Sequence, residues 1–223
     1  MSSYDCNSIN SPYGSALVRN STAYFVVFVL IFFAAERVVA GIDTANHGDF
    51  SIDKLEGPRF EFAAESAYLL GVLGNPHGYE IGAQFVTGRM RLGAVRGDNW
   101  LRGYHQAYFS LMAEPIFRGP ENYYYGFSMG LRYNFVSPGS RIVPYISGGV
   151  GAGAIDSHPD DRGAQGQDFT FNILTAAGVS YRLNARWKVD AGILYQHLSN
   201  AGQTSPNPSL NLLGPQFGVT YSF

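Results

Sequence analysis

Three polar residues near the carboxyl end of the chain could together perform nucleophilic chemistry. His197 and Ser199 are two positions apart, so on a β-strand both side chains project from the same face. A serine hydroxyl becomes an effective nucleophile when an imidazole accepts its proton, and the imidazole needs a third group that fixes its tautomer. Asn211 is the candidate for that third group. The alternative is that His197 and Ser199 are polar residues at a water-exposed rim, and their spacing alone does not exclude it.

The segments that contain these residues alternate between large apolar and small or polar side chains, which is typical of a half-buried strand rather than a helix. His197 and Ser199 continue the apolar row of the segment 186–199, and Asn211 continues the apolar row of the last segment. These rows are Trp187, Val189, Ala191, Ile193 and Tyr195, and then Leu213, Phe217, Val219, Tyr221 and Phe223. The three polar groups are therefore predicted to lie on one face of two adjacent antiparallel strands.

The same alternation predicts eight strands, near 59–72, 79–93, 102–115, 123–135, 142–155, 168–183, 186–199 and 211–223. Turn-forming clusters such as Ser137-Pro138-Gly139-Ser140 separate them. The segment 79–93 changes phase near Arg89, which suggests a β-bulge there. The glycine-rich run 148–153 lies inside a predicted strand and indicates close backbone packing rather than a nucleotide-binding loop.

The direction in which the apolar row faces decides between a soluble and a membrane barrel. A soluble barrel of this size packs its large apolar residues inside and exposes charge. Here the other row is mostly glycine, serine, threonine and asparagine, and the apolar row is rich in aromatic residues. An outward apolar band with aromatic girdles around a polar lumen is typical of outer-membrane barrels. We therefore predict an all-β fold, an eight-stranded antiparallel transmembrane barrel; a lipocalin-like soluble barrel is the alternative.

On this topology the short links 94–101, 136–141 and 183–186 become periplasmic turns, and the long links 156–167 and 200–210 become outer loops. His197, Ser199 and Asn211 would then lie on the lipid-facing wall near its outer end. Polar groups that face lipid are costly, so an imidazole has no packing reason to be there.

The composition agrees with an exported membrane barrel. Of the 223 residues, 46% are hydrophobic and only 14% are charged, and the net charge is −2. Soluble domains have about 25% charged residues. Because basic and acidic residues are nearly equal in number, no basic surface for nucleic acid is expected. Residues 23–35 form an uncharged apolar run between Arg19 and the small residue Ala40, as in a signal peptide, and the run is too short to span a bilayer.

We predict a cleaved signal peptide at 1–40, a periplasmic N-terminal segment at 41–58 and the barrel at 59–223. The single cysteine, Cys6, would leave with the signal peptide. One cysteine excludes a disulfide scaffold and a cysteine-rich metal site.

The stretch His197-x-Ser199-Asn200-Ala201-Gly202, followed by Pro206-Asn207 and a strand that ends in Phe223, resembles the PagL-type lipid A 3-O-deacylases. The resemblance is clearest over 123–223. It implies an eight-stranded outer-membrane barrel that hydrolyses the ester-linked acyl chain at the 3 position of lipid A in lipopolysaccharide. It also implies that Ser199 is the nucleophile and His197 the general base. The residues that would form or support the oxyanion site are Asn200, Ala201, Gly202 and Asn207.

The sequence departs from this family at Asn211, where the family has the glutamate of a Ser-His-Glu triad. No Asp or Glu follows Asp190, so no carboxylate close in sequence replaces it. An amide oxygen can still accept an imidazole N–H, but it offers no negative charge to an imidazolium. Two functions therefore stay open: a lipid A deacylase, and a non-catalytic structural or adhesive barrel, which Asn211 favours. The oligomeric state is also open, with a homodimer as one alternative.

No cofactor or metal is expected. The other histidines, at 47, 77, 105 and 158, have no metal-ligand spacing. Asp156, Asp160 and Asp161 beside His158 could hold a divalent ion, but a solvated acidic loop is the simpler interpretation.

Overall fold

The computed structural model describes residues 60–73 and 78–223. The predicted signal peptide at 1–40 and the predicted segment at 41–58 lie outside these residues. Eight β-strands form the described part: β1 Phe60–Gly71, β2 Glu80–Arg96, β3 Gly103–Arg118, β4 Tyr123–Phe135, β5 Ile142–Ile155, β6 Phe169–Arg182, β7 Trp187–Ser199 and β8 Leu210–Ser222. The predicted strands are confirmed, and β2 and β3 continue a few residues beyond their predicted ends.

The strands close into a barrel in which each strand pairs antiparallel with the next and β8 pairs with β1. Connections at 97–102, 136–141 and 183–186 lie at one end, which we call the short-turn end. The end of β1 at Gly71, the start of β2 at Glu80 and the connections 119–122, 156–168 and 200–209 lie at the other, the long-loop end. Within the described residues, no helix is long and apolar enough to cross a lipid bilayer.

The bulge predicted near Arg89 is wrong. Glu61 and Arg89 are register partners in an unbroken β1–β2 ladder. The irregularities in β2 lie in its pairing with β3, between Glu80 and Ile81 and between Leu92 and Arg96. The apparent change of phase has a chemical cause, because the inward row of β2 changes from apolar Phe85 to polar Thr87 and Arg89 without any slip.

The outward surface is the apolar row that the sequence predicted. Phe127 and Met129 of β4, Ile173 of β6 and Phe217 of β8 are all exposed, whereas alternate residues such as Ser128 are buried. Aromatic neighbours extend this surface at the short-turn end, where Trp187 and Tyr221 lie edge to face with ring centroids 4.9 Å apart. A wall that is apolar on its outer side is suited to a hydrocarbon environment.

The interior is more apolar than the polar lumen that we expected. Its long-loop half is filled by a buried apolar cluster, and polar side chains occupy mainly the other half. The cluster includes Leu69, Tyr79, Ile81, Met112, Ile116, Tyr124, Ile155, Leu194, Leu198, Leu210 and Leu212. An eight-stranded barrel is just wide enough for its side chains to fill it, so inward residues must pack against one another whatever their polarity.

Buried ion pairs fill the short-turn half of the interior. Lys188 Nζ lies 2.5 Å from Glu61 Oε1, and Arg89 Nη2 lies 2.6 Å from Glu65 Oε1. Asp190 joins two arginines, with Oδ1 3.0 Å from Arg132 Nη2 and Oδ2 3.8 Å from Arg89 Nη1. The hydroxyl of Thr220 also donates to Asp190 Oδ2 at 2.6 Å. The network links β1, β2, β4, β7 and β8 across the barrel.

The glycine-rich run of β5 packs closely against β4, as predicted. A Cβ added to Gly151 would lie 1.8 Å from the carbonyl oxygen of Phe127, and one added to Gly153 would lie 2.3 Å from that of Tyr125. Side chains at these positions would force the two strands apart.

Asp190→Asn should lower the free energy of unfolding by about 3 kcal/mol, because it leaves Arg89 and Arg132 short of a buried counter-charge. The measurement is urea unfolding of the refolded barrel in detergent. The folded fraction is read from the shift in gel mobility that heating causes in folded protein. Asp98→Asn, an exposed carboxylate in the 97–102 turn, is the control and should have no effect. Equal stability of the two variants would contradict a stabilising role for the network.

Candidate active site

Antiparallel pairing of β7 with β8 brings His197 and Asn211 together. The two residues are register partners, and both side chains project from the outer face of the barrel. The alternation explains this placement, because their neighbours Leu198 and Leu210 are fully buried in the interior cluster. His197 Nδ1 lies 2.8 Å from Asn211 Oδ1. The predicted third group is therefore within hydrogen-bond distance of the imidazole.

The orientation of the Asn211 amide follows from its other contacts. Its Nδ2 donates to the carbonyl oxygens of Leu73, at 3.3 Å, and Ser209, at 3.2 Å. A flipped amide would place an oxygen against two carbonyl oxygens, so Oδ1 is the atom that faces His197. Oδ1 can only accept, which requires a proton on His197 Nδ1. In the neutral imidazole this leaves Nε2 unprotonated, and Nε2 is the atom that can accept a proton from a nucleophile.

Tyr195 makes a fourth contact with the same amide, one that the sequence pattern does not reveal. Its hydroxyl donates to Asn211 Oδ1 at 2.8 Å. Tyr195 precedes His197 by two positions in the outward row, where an aromatic residue is expected in any membrane barrel. Only the hydroxyl distinguished it from the other aromatic residues of that row. Asn211 Oδ1 thus accepts two hydrogen bonds, one from Tyr195 and one from His197.

Ser199 occupies the last position of β7 on the same outward row as His197. Its register partner on β6 is Phe171, and the partner of His197 is Ile173, so apolar side chains border the pair. Within the described residues the Ser199 hydroxyl has no hydrogen-bond partner, and none joins it to His197. Catalytic hydrogen bonds are often formed only when substrate is bound. His197 and Ser199 are two positions apart on the same face of β7, and the Ser199 hydroxyl is free to contact a substrate.

Asn200 organises the loop that follows Ser199. It is fully buried, and its Nδ2 donates to the carbonyl oxygens of Thr204, at 2.8 Å, and Pro206, at 3.2 Å. Its Oδ1 accepts from the Gly202 N–H at 2.9 Å. Its own backbone N–H donates to Asn207 Oδ1 at 3.1 Å. We call residues 200–209 the site loop.

The Ala201 N–H and Nδ2 of Asn207 are among the donors of the site loop that have no partner within the described residues. Because Asn207 Oδ1 accepts from Asn200, the amide orientation of Asn207 is fixed with its nitrogen free to donate. The N–H groups of Asn200 and Gly202 are already engaged within the loop. Of the four residues predicted to form or support an oxyanion site, Ala201 and Asn207 therefore retain donors, and Asn200 and Gly202 shape the loop.

The acidic loop after β5 is a separate feature. The Asp156 carboxylate accepts hydrogen bonds from the backbone N–H groups of Asn122, at 2.8 Å, and Tyr123, at 2.9 Å. Although partial burial alone would raise the pKa of Asp156, these hydrogen bonds hold it below its usual range. Asp156 is therefore committed to joining two loops. Among the described residues no group of His, Cys, Asp and Glu side chains is arranged to hold a metal ion.

The remaining histidines take no part in the site. His105 lies on the exposed face of β3 with its ring 4.7 Å from that of Tyr133. His158 lies in the acidic loop, 3.6 Å from Asp156. His47 and His77 lie outside the described residues.

Comparison with known proteins assigns the chain to a family. The model of the family described as "Lipid A 3-O-deacylase (PagL)" matches residues 77–220, which include β2 to β7, most of β8, and His197, Ser199 and Asn211. The chain belongs to the PagL family. A comparison with curated protein sequences gives no match.

Solved structures share the fold. The outer-membrane enzyme PagL is 17% identical, with 71% of this chain and 97% of that chain covered and a TM-score of 0.50. Neisserial surface protein A is 15% identical, with 74% and 97% covered and a TM-score of 0.54. At these identities the likeness concerns the barrel alone, and PagL-family membership depends on the family model.

The hydrogen-bond pattern predicts that neutral His197 carries its proton on Nδ1. Nitrogen-15 NMR of the labelled imidazole in detergent micelles should show this tautomer in the natural protein. Asn211→Ala removes the acceptor and should shift the population towards the Nε2-protonated form. Tyr195→Phe is the matched control, because it removes a hydroxyl from Asn211 Oδ1 but leaves the acceptor in place. An Nε2-protonated ring in the natural protein would contradict this assignment.

Proposed function

We propose that this PagL-family barrel is an outer-membrane lipid A 3-O-deacylase that uses Ser199 as nucleophile, His197 as general base and Asn211 as the group that orients His197. The observation that carries the proposal is the 2.8 Å contact between His197 Nδ1 and an Asn211 oxygen whose orientation two backbone carbonyls fix. It leaves Nε2 as the free base of an imidazole that shares a face with Ser199.

In the proposed reaction, Ser199 Oγ attacks the carbonyl carbon of the ester and its proton passes to His197 Nε2. The C–O bond to the lipid A hydroxyl then breaks, and His197 returns the proton to that leaving oxygen. Water, deprotonated by the same imidazole, then attacks the acyl carbon. The bond between that carbon and Ser199 Oγ breaks, His197 returns the proton to Oγ, and the free fatty acid leaves. The ester is thus hydrolysed with no cofactor, and each proton that His197 accepts is given back.

The developing oxyanion needs donors placed near Ser199. The Ala201 N–H, two positions after Ser199, and the Asn207 amide, which contacts the N–H of the adjacent Asn200, fit this requirement, and neither donor has another partner among the described residues. We assign them as oxyanion donors. Asn200, with its five hydrogen bonds inside the site loop, holds them in place.

The position of the site suits a lipid substrate. Export by the proposed signal peptide 1–40 would leave the start of β1, Phe60, and the end of β8, Ser222, on the periplasmic side. The long-loop end would then face outward. His197 and Ser199 would then lie at the level of the outer leaflet. Ile173 and Phe171 beside them offer an apolar surface to an acyl chain that approaches from the membrane.

A non-catalytic structural or adhesive barrel is the second candidate. Asn211 favours it, because a neutral amide cannot stabilise the imidazolium as a carboxylate does. The two candidates differ in a direct measurement. Mass spectrometry of lipid A from cells with and without the protein should show loss of one acyl chain under the first and no change under the second.

Ser199→Ala should abolish deacylation of lipid A in detergent micelles, because it removes the nucleophile. The barrel should fold normally, since the hydroxyl lies on the outer face and makes no hydrogen bond. His197→Asn should lower turnover by about a thousandfold or more through loss of the base. Thr175→Ala, a hydroxyl on the exposed face of β6, is the control and should keep full activity. Normal activity of Ser199→Ala would exclude the mechanism even for an active esterase.

Asn211→Glu should raise turnover about tenfold, because a carboxylate both accepts from Nδ1 and stabilises the imidazolium; a factor of ten corresponds to about 1.4 kcal/mol of barrier. The loss of the two amide hydrogen bonds to Leu73 and Ser209 should cost about 1 kcal/mol of stability each at most. Asn211→Gln has the same length without the charge and is the control. If Glu and Gln variants turn over lipid A equally fast, charge at this position does not limit the reaction. Inactivity of the natural protein and of Asn211→Glu would favour the structural function.

A further inference from the structure

We infer that Gly166 and Gln167, in the loop between β5 and β6, are positioning residues that clamp the site loop and thereby place its oxyanion donors. The inference rests on the proposed function, and it concerns residues about forty positions away from the site loop in sequence. We call residues 163–167 the clamp.

The clamp contacts the site loop through backbone and side chain. The Gly166 N–H donates to the carbonyl oxygen of Pro206 at 2.8 Å. Gln167 Nε2 donates to Gln203 Oε1 at 2.9 Å, and Gln167 Oε1 accepts a short hydrogen bond from the Thr204 hydroxyl. Three of the ten residues of the site loop are thus held from outside by two consecutive residues of the clamp.

Two of the residues that contact the clamp, Thr204 and Pro206, also form hydrogen bonds with Asn200 within the site loop. Asn200 Nδ2 donates to the carbonyl oxygens of Thr204 and Pro206. Thr204 is therefore bonded twice: its hydroxyl donates to Gln167, and its carbonyl oxygen accepts from Asn200. The carbonyl oxygen of Pro206 accepts from both Gly166 and Asn200. Asn207, the next residue, carries the amide that we assign as an oxyanion donor. Movement of Pro206 would displace Asn207 and weaken its bond to the Asn200 N–H.

The clamp has a rigid base of its own. The Gln165 N–H donates to Glu121 Oε1 at 2.7 Å, and the Tyr79 hydroxyl donates to Glu121 Oε2 at 2.5 Å. The Tyr79 hydroxyl also lies 3.2 Å from the Gly163 carbonyl oxygen. Tyr79 and Glu121 are buried. These contacts tie the clamp to two further loops, so it can resist displacement when the site loop binds substrate.

Position 166 requires glycine because the two loops touch there. A Cβ on Gly166 would lie 2.7 Å from the Pro206 carbonyl oxygen and 2.7 Å from the Ser205 carbonyl carbon. Both are backbone atoms, so relief requires movement of the site loop rather than of a side chain. Gly166→Ala is therefore expected to push the site loop away while every residue of the proposed triad stays unchanged.

The experiment compares Gly166→Ala, Gln167→Ala, Thr204→Ala and the double variant Gln167→Ala/Thr204→Ala with the natural protein, as full chains refolded in detergent. Asp160→Ala, an exposed residue of the same loop, is the matched control. Turnover and KM for lipid A are measured, together with hydrogen exchange of the amides in residues 200–207. Hydrogen exchange reports the clamp contact whether or not lipid A is hydrolysed.

We expect Gly166→Ala to lower kcat about tenfold and Gln167→Ala about threefold, each with KM changed less than twofold, because oxyanion donors act mainly in the transition state. Exchange at 200–207 should speed up in both. The double variant should lose no more than the larger single loss, because both changes break the same contact. Asp160→Ala should match the natural protein.

Unchanged exchange at 200–207 in both clamp variants would overturn the clamp itself. Faster exchange with unchanged kcat would overturn its role in placing the donors, while loss of activity in Ser199→Ala would still support the proposed function. A natural protein with no deacylase activity would overturn both the proposed function and the positioning role that depends on it.

Discussion

The register between β7 and β8 is the constraint on which the site depends. The pairing that sets Trp187 opposite Tyr221 also sets His197 opposite Asn211. A slip of one residue would turn the side chains of β8 to the other face and place a leucine beside the imidazole. Such a slip would also expel Leu210 and Leu212 from the apolar interior. Burial of leucines on the inner face therefore fixes the geometry of polar groups on the outer face.

Two kinds of packing keep that wall rigid. At the short-turn end, ion pairs centred on Asp190 join strands on opposite sides of the barrel. At the long-loop end, the apolar cluster lies directly behind the site, and Leu198, between His197 and Ser199, is part of it. The outward side chains are thus attached to backbone that is held from inside. The site loop is held differently, by hydrogen bonds to a neighbouring loop.

Much of this arrangement could be predicted from the sequence, because period-two alternation reports directly which residues share a face. It places His197, Ser199 and Asn211 on one wall, where the structure has them. It failed at Arg89, because a change of side-chain chemistry along the inner face imitates a slip in register. The alternation could not identify the role of Tyr195, because an aromatic ring is expected in the outward row of any membrane barrel. Its role depends on the hydrogen bond from its hydroxyl to Asn211, which only the structure shows. The contact between Gln167 and Thr204 joins two irregular loops, and no local pattern encodes which atoms of such loops meet.

The filled interior determines how a lipid could reach the site under the proposed function. With leucines at one end and ion pairs at the other, the barrel offers no open passage through its interior. The proposed site lies on the outer wall, where it would face the surrounding lipid. A substrate anchored in the same leaflet then arrives by lateral diffusion in two dimensions. The quantity that governs its capture is the surface density of the lipid and the tightness of its packing, not a bulk concentration. Conditions that fluidise or stiffen the leaflet would change the rate without altering one atom of the protein.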